Sequence, residues 1–324
     1  MKINRNHGGG GRETKKLIEE IFLPYFKNGL GDATRDAAVL QTGGRIAFTS
    51  DSFVVDPLFF RGGDIGRLAV CGTVNDLLTS GASPKYLSAS FILEEGLDTE
   101  DLRMAVNSMA VAARESGVFI VTGDTKVVEG NGRLFINTAG IGEIYGSPVD
   151  FSDAGTSDVL IVTGCLGSHH ACIVSARMGI NNNIKSDVSP LCLIVSRLLE
   201  EKIPLHGMRD VTRGGLATVL CELSGQYGFG ALIYEVNLPV FEAVSGLCSI
   251  LGLDPLYMGN EGVMLIAVPG KHAETAIQII KQERYGENAV IIGEVTTNGV
   301  ILRTKIGGNR ILTSLMGESI PRIC

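Results

Sequence analysis

Hydrophobic positions along the chain fall into two spacings that alternate irregularly. Leu17, Ile18, Ile21, Phe22 and Tyr25 form one stripe of a helix. Longer helical patterns are predicted over 64–79, ending at Gly81, and over 98–116, capped by Asp98 and stopped by Gly117. Short β-type runs lie at 38–40, 45–49, 86–93, 118–122 and 134–145. The pattern pauses at Pro148-Val149-Asp150. It resumes with strands at 159–163, 231–234, 263–268, 289–295 and 299–303, interleaved with helices near 168–178, 190–201, 214–226, 239–251 and 273–284. Strands and helices mix without the regular rhythm of a doubly wound parallel sheet, so the expected class is α+β, with two mixed α/β domains. The expected division is a glycine-rich arm and helix over 1–34, a first domain over 35–149, a second over 150–311, and a mobile tail over 312–324.

A length of 324 residues suits two domains, and 45% apolar with 19% charged residues leaves enough material for their cores. No apolar run approaches the length of a membrane helix, and the start leads into glycines instead of a signal-peptide core, so a cytoplasmic protein is expected. The seven cysteines form no C-x-x-C pair and read as buried reduced thiols, with Cys324, the last residue, as the exception. A net charge of −7 without a basic cluster argues against nucleic-acid binding. An anionic ligand would need cations between its phosphates and the carboxylates of the chain.

Those carboxylates recur beside strand ends and glycines: Asp32 and Asp36, Asp51 in Thr49-Ser50-Asp51, Asp76 in Asn75-Asp76, Asp124 in Gly123-Asp124-Thr125, and Glu261 between Asn260 and Gly262. Each alone is also what an ordinary turn looks like. Asp76 stands apart, because the last turn of a helix disfavours negative charge and a cation there would offset the cost. Asp36, Asp51, Asp76 and Asp124 offer the hard oxygen ligands that Mg²⁺ prefers. In Arg209-Asp210-Val211-Thr212-Arg213-Gly214-Gly215, Thr212 is placed to cap the following helix and open an anion site. No P-loop is present, so any ATP site is of another kind. His169 and His170 are adjacent on a predicted helix, do not face one another, and read as structural.

Taken in order, these segments resemble the aminoimidazole ribonucleotide synthetase superfamily, which includes selenophosphate synthetase and thiamine monophosphate kinase. The resemblance rests on Asp36-Ala37-Ala38, Thr49-Ser50-Asp51, Asn75-Asp76 with Gly81-Ala82-Ser83-Pro84, and the turn Gly123-Asp124-Thr125, and spans nearly the whole chain. The start Asn6-His7-Gly8-Gly9-Gly10-Gly11, the run from Arg209 to Ala217 and the end Pro321-Arg322-Ile323-Cys324 narrow it to the hydrogenase-maturation branch, the HypE family.

That resemblance implies ATP and Mg²⁺ bound through Gly8, Gly9, Gly10, Asp36, Thr49, Asp51, Asn75, Asp124, Thr125, Asp210 and Thr212. The metal would be held by Asp36, Asp51, Asp76 and Asp124, with Asp210 as a further ligand. It implies a homodimer whose N-terminal strands form a shared barrel. The carbamoyltransferase HypF would load a carbamoyl group onto Cys324, the protein would dehydrate it to thiocyanate, and a HypC–HypD complex would accept the cyanide. Glu261, with Asp76 as the alternative, is the expected proton acceptor, and Lys126 the expected orienting group. On the residues alone, Lys126 is equally a surface lysine paired to Glu129, and Glu261 a glycine-flanked surface turn. The rivals are a phosphotransferase of the same fold that ignores the tail and a non-catalytic nucleotide-dependent scaffold.

Overall fold

The computed structural model describes residues 2–4, 16–26 and 42–315. The stripe of Leu17, Ile21 and Phe22 forms a helical segment with one wide turn over Ile18–Phe22, buried against the first core. Strand β1 (Arg45–Phe53) follows, then a short ribbon of β2 (Phe59–Phe60) and β3 (Gly63–Asp64). Asp64 caps α1 (Ile65–Thr79), accepting from Gly66 N at 2.7 Å and Arg67 N at 3.0 Å. After β4 (Ser83–Glu94), α2 (Thr99–Ser116) is capped by Asp98 and closed by Gly117 at φ 69°, as its sequence signals require. Strands β5 (Phe119–Val128) and β6 (Leu134–Ile144) complete a four-stranded sheet in the order β1-β6-β4-β5. It is antiparallel except where α2 carries the chain from β4 into a parallel β5.

The second sheet has seven strands in the order β13-β12-β9-β11-β7-β10-β8. Its strands are β7 (Asp158–Val162), β8 (Gly207–Asp210), β9 (Gly230–Tyr234), β10 (Met264–Pro269), β11 (Val290–Thr296), β12 (Val300–Arg303) and β13 (Asn309–Ile311). Between them run α3 (Ser168–Arg177), α4 (Cys192–Glu200), α5 (Gly215–Tyr227), α6 (Glu242–Leu251) and α7 (Ala273–Gln282). Only the β9/β12 pair is parallel. The α+β class is the one the irregular rhythm indicates.

The two sheets are joined by burial. In β10, Met264, Ile266 and Val268 enter a core shared with α1 and α2, while Leu265 and Ala267 enter a second core with α5. Buried on both faces, the strand is a continuous apolar run, unlike a half-exposed strand with its alternation. Helix α1 lies between the first sheet and the second half of the chain, so Leu68, Val70, Cys71, Val74 and Leu77 are buried on all its sides.

Two local expectations change. Gly123-Asp124-Thr125 is strand, not turn: β5 continues to Val128, with Gly123 opposite Ala89 and Asp124 opposite Ser90. Glycine is required there because a Cβ at 123 would stand 2.1 Å from the Ala89 carbonyl oxygen. The four-residue edge strand β8 and the terminal hairpin strand β13 were too short to declare themselves by periodicity. The run at 38–40 lies outside the described residues.

Candidate active site

Four elements from distant parts of the chain meet around one open cleft of about 1030 Å³. Strand β1 contributes Thr49 and Asp51, two residues apart and therefore on the same face. The last turn of α1 contributes Asp76, and Thr49 Oγ1 donates to Asp76 Oδ2 at 2.9 Å. The end of β8 contributes Asp210, and the loop before β10 contributes Glu261. Pairing of Met264 with Asp210 fixes the last two relative to each other.

The four carboxylates share one electrostatic field. Asp76 is pushed up to about 7, first by burial and then by Asp210 and Asp51. Burial also raises Asp210, with Arg209 and a hydrogen bond from Thr212 pulling the other way. Burial drives Glu261 well above the usual carboxylate range, and Asp187, Asp210, Asp51 and Asp76 add to it. Such a cluster favours a bound cation or a bound proton. Among the described residues no group of three His, Cys, Asp or Glu side chains is arranged to hold a metal alone. Mg²⁺ does not require that, since it commonly takes one or two carboxylates and completes its shell with waters and substrate phosphates. The hard oxygens of Asp51, Asp76 and Asp210 fit it.

Several expected site residues are elsewhere. Asp124, Thr125 and Lys126 lie on β5, at the opposite edge of the sheet from β1. Lys126 Nζ pairs with Asp124 at 3.1 Å and lowers its proton affinity. Asn75 is buried with its amide turned away from the cleft: Nδ2 donates to Ser189 O at 3.0 Å and Glu261 O at 3.4 Å, and Oδ1 accepts from Leu191 N at 3.0 Å. Thr212 does not cap α5. Gly214, at φ 78°, occupies that position without a side-chain bond, and Thr212 lines the cleft beside Asp210. Glu261 sits in a half-buried bend, its backbone bonded on both sides and its side chain lining the cleft. His169 and His170 are buried. Gly8, Gly9, Gly10, Asp36 and Cys324 lie outside the described residues.

Three side chains beside the cleft went unassigned in the sequence. Arg209 and Arg213 line it, cations flanking the Asp210 carboxylate, and their position around Asp210-Val211-Thr212 was a usable signal. Asp187, behind Glu261, had none: its role depends on a contact across 74 residues.

The chain matches the family models for the N-terminal domain of AIR synthase related proteins over 34–144 and for their C-terminal domain over 155–304. This is therefore an AIR synthase related protein. It is 44% identical to carbamoyl dehydratase HypE of Rhodobacter capsulatus, a match covering 100% of this chain and 98% of that one. A solved structure of hydrogenase maturation protein HypE in complex with ATP superposes with a TM-score of 0.95 at 44% identity, covering 99% of both chains. A structure of a HypE–HypF complex gives 0.81 at 46% identity over 92% of this chain and 99% of that one. Within its class, the chain belongs to the HypE family of carbamoyl dehydratases. No described helix is long and apolar enough to cross a membrane.

Proposed function

We propose that this protein uses ATP to dehydrate a carbamoyl group on the sulfur of Cys324 to an S-cyanate, supplying cyanide for the iron of a nickel-iron hydrogenase. Full-length similarity to carbamoyl dehydratases and to an ATP-bound HypE supports the reading. The observation that carries it is the meeting of Asp51, Asp76, Asp210 and Glu261 around one cleft, with Arg209 and Arg213 beside them.

The amide oxygen of the S-carbamoyl group attacks the γ-phosphorus of ATP, ADP leaves, and the oxygen becomes a phosphate ester. The C–O bond then breaks. Phosphate departs with that oxygen, and both N–H protons are lost as the S–C≡N triple bond forms. Glu261 accepts a proton from the amide nitrogen, a role suited to a carboxyl whose proton affinity is raised. Asp76 is the alternative acceptor, also raised. Arg209 and Arg213 orient the phosphates. Asp51 and Asp76, with Asp210 and Asp36 as further ligands, would hold a Mg²⁺ that neutralises phosphate charge. This chemistry requires the Cys324 sulfur to enter the cleft.

The active form is a homodimer. Among the described residues one face of the first sheet has no cover and carries Ile46, Phe48 (67% exposed) and Ile92, and β1 and β5 are both free edges. A second copy laid against that face forms a barrel. It also accounts for Asp124, Thr125 and Lys126, which a single copy keeps away from Asp51: the second copy delivers them. HypF loads the carbamoyl group, as the complex of a relative supports. A HypC–HypD complex takes the cyanide, and the reaction belongs in the cytoplasm, where thiols stay reduced.

The test is intact-mass analysis of carbamoylated protein with Mg²⁺ and ATP. Loss of one water at Cys324 is expected. An unchanged mass would defeat the reading.

A further inference from the structure

Glu261 is held at both ends of its own residue. Its carbonyl oxygen receives Asn75 Nδ2 at 3.4 Å and Ser189 N at 3.5 Å. Its N–H donates to Asp187 Oδ2 at 3.0 Å, and the next N–H, of Gly262, donates to the same oxygen at 2.9 Å. The other oxygen, Asp187 Oδ1, accepts from His169 N at 2.8 Å in the first turn of α3, where the helix dipole favours a negative charge. One carboxylate thus ties three peptide groups from two segments together. Asn260 runs a parallel tie, accepting from Gly167 N at 2.7 Å and donating to Val211 O at 2.9 Å. The approach is so close that a Cβ on Gly262 would lie 2.0 Å from the Asp187 carbonyl oxygen. With its backbone fixed, Glu261 retains only side-chain freedom, and that side chain lines the cleft.

We propose that Asp187 is a positioning residue for the dehydration: by gripping the Glu261 and Gly262 N–H groups and anchoring them to the start of α3, it aims the Glu261 carboxyl at the reacting amide. The inference rests on the reading of Glu261 as proton acceptor. It adds a residue that touches neither nucleotide nor carbamoyl group. Its two oxygens accept from donors on opposite sides, a task an amide cannot copy, because its NH₂ end would face N–H groups. Asp187 also adds its charge to the field that raises Glu261.

The experiment is a double-mutant cycle on full-length carbamoylated protein, following single-turnover loss of water by intact mass and ATP affinity by calorimetry. Asp187→Asn should slow dehydration about 100-fold, the cost of a misaimed group, with the ATP dissociation constant within about twofold of wild type. Added to Glu261→Gln, it should slow the reaction no further, because both act through one carboxyl. A purely structural role would instead multiply the two losses and weaken ATP binding, and would overturn the proposal. A wild-type rate for Glu261→Gln would remove the proton-acceptor reading itself. A slow Glu261→Gln beside a fast Asp187→Asn would remove only the role of Asp187. Should Asp187→Asn not fold, hydrogen exchange on the wild type decides: the Glu261 and Gly262 amides should be strongly protected, and exchange at loop rates would overturn the proposal.

Discussion

Asp76, partly buried at the end of α1, and Asp124, exposed on β5, each accept a hydrogen bond from a neighbouring side chain, yet their proton affinities move in opposite directions. Asp76 is pushed up to about 7 by burial and by neighbouring carboxylates, against which one bond from Thr49 is too little. Asp124 is lowered by Lys126, its own partner two residues along the strand. The first site is incomplete without a cation or a proton. The second is already paired within its own strand. A binding cleft thus differs from a surface ion pair in the charge it leaves unanswered.

The sharpest test of the contrast is at the buried end. Glu261→Gln should slow dehydration roughly 1000-fold while ATP still binds, within the range expected for removing a general base. Single-turnover mass analysis reads the rate, and titration of the nucleotide reads the binding. Asp76→Asn should weaken Mg²⁺-dependent ATP binding about 10- to 100-fold, seen by calorimetry with and without the metal.

The same substitution has a pH signature. The Asp76 carboxyl binds its proton up to about pH 7 when folded, against 3.8 in the reference state, so it favours folding in acid and loses that contribution as pH rises from about 4 to 7. Ligand-free Asp76→Asn should therefore be more stable than wild type at pH 8 by about 1 to 2 kcal/mol, discounted because the group is partly solvated, and little different at pH 4. Urea unfolding at the two pH values measures it.

The β5 end tests assembly. At ATP concentrations too low to occupy Asp76→Asn, mixing it with Lys126→Ala should restore activity to about a quarter of the sites, since half the dimers are mixed and each of these has one intact site. No recovery would mean that Lys126 serves its own chain. The smallest effect is on stability: Lys126→Ala should change it by no more than about 0.5 kcal/mol, because the pair with Asp124 is solvent-exposed.

What the sequence disclosed follows from how local each signal is. Asp64, Asp98 and Gly117 mark helix ends through bonds to neighbours a few residues away, and α1 and α2 begin and end where those residues direct. The carboxylates of the cleft were legible as residue types, and Asp76 as a charge in an unfavourable place. Their meeting was carried by resemblance, since Thr49 reaches Asp76 across 27 positions. Gly123-Asp124-Thr125 misled because glycine beside aspartate signals a turn, whereas here the missing side chain admits the neighbouring strand. Asn75 is next to Asp76 in sequence, yet one helical step of about 100° takes its side chain off the cleft wall to Ser189, Leu191 and the Glu261 carbonyl.

Strand β1 is read from both sides. Residues 47, 49 and 51 look inward, and 46, 48 and 50 look out. Its pairing with β6 keeps one unbroken register from Arg45 opposite Ile144 to Phe53 opposite Ile136. A slip of a single residue would exchange the two sets, sending Asp51 to the outer face of the sheet. Drift at these nine positions is therefore constrained twice over, and a change tolerated by one face can still be rejected through the other.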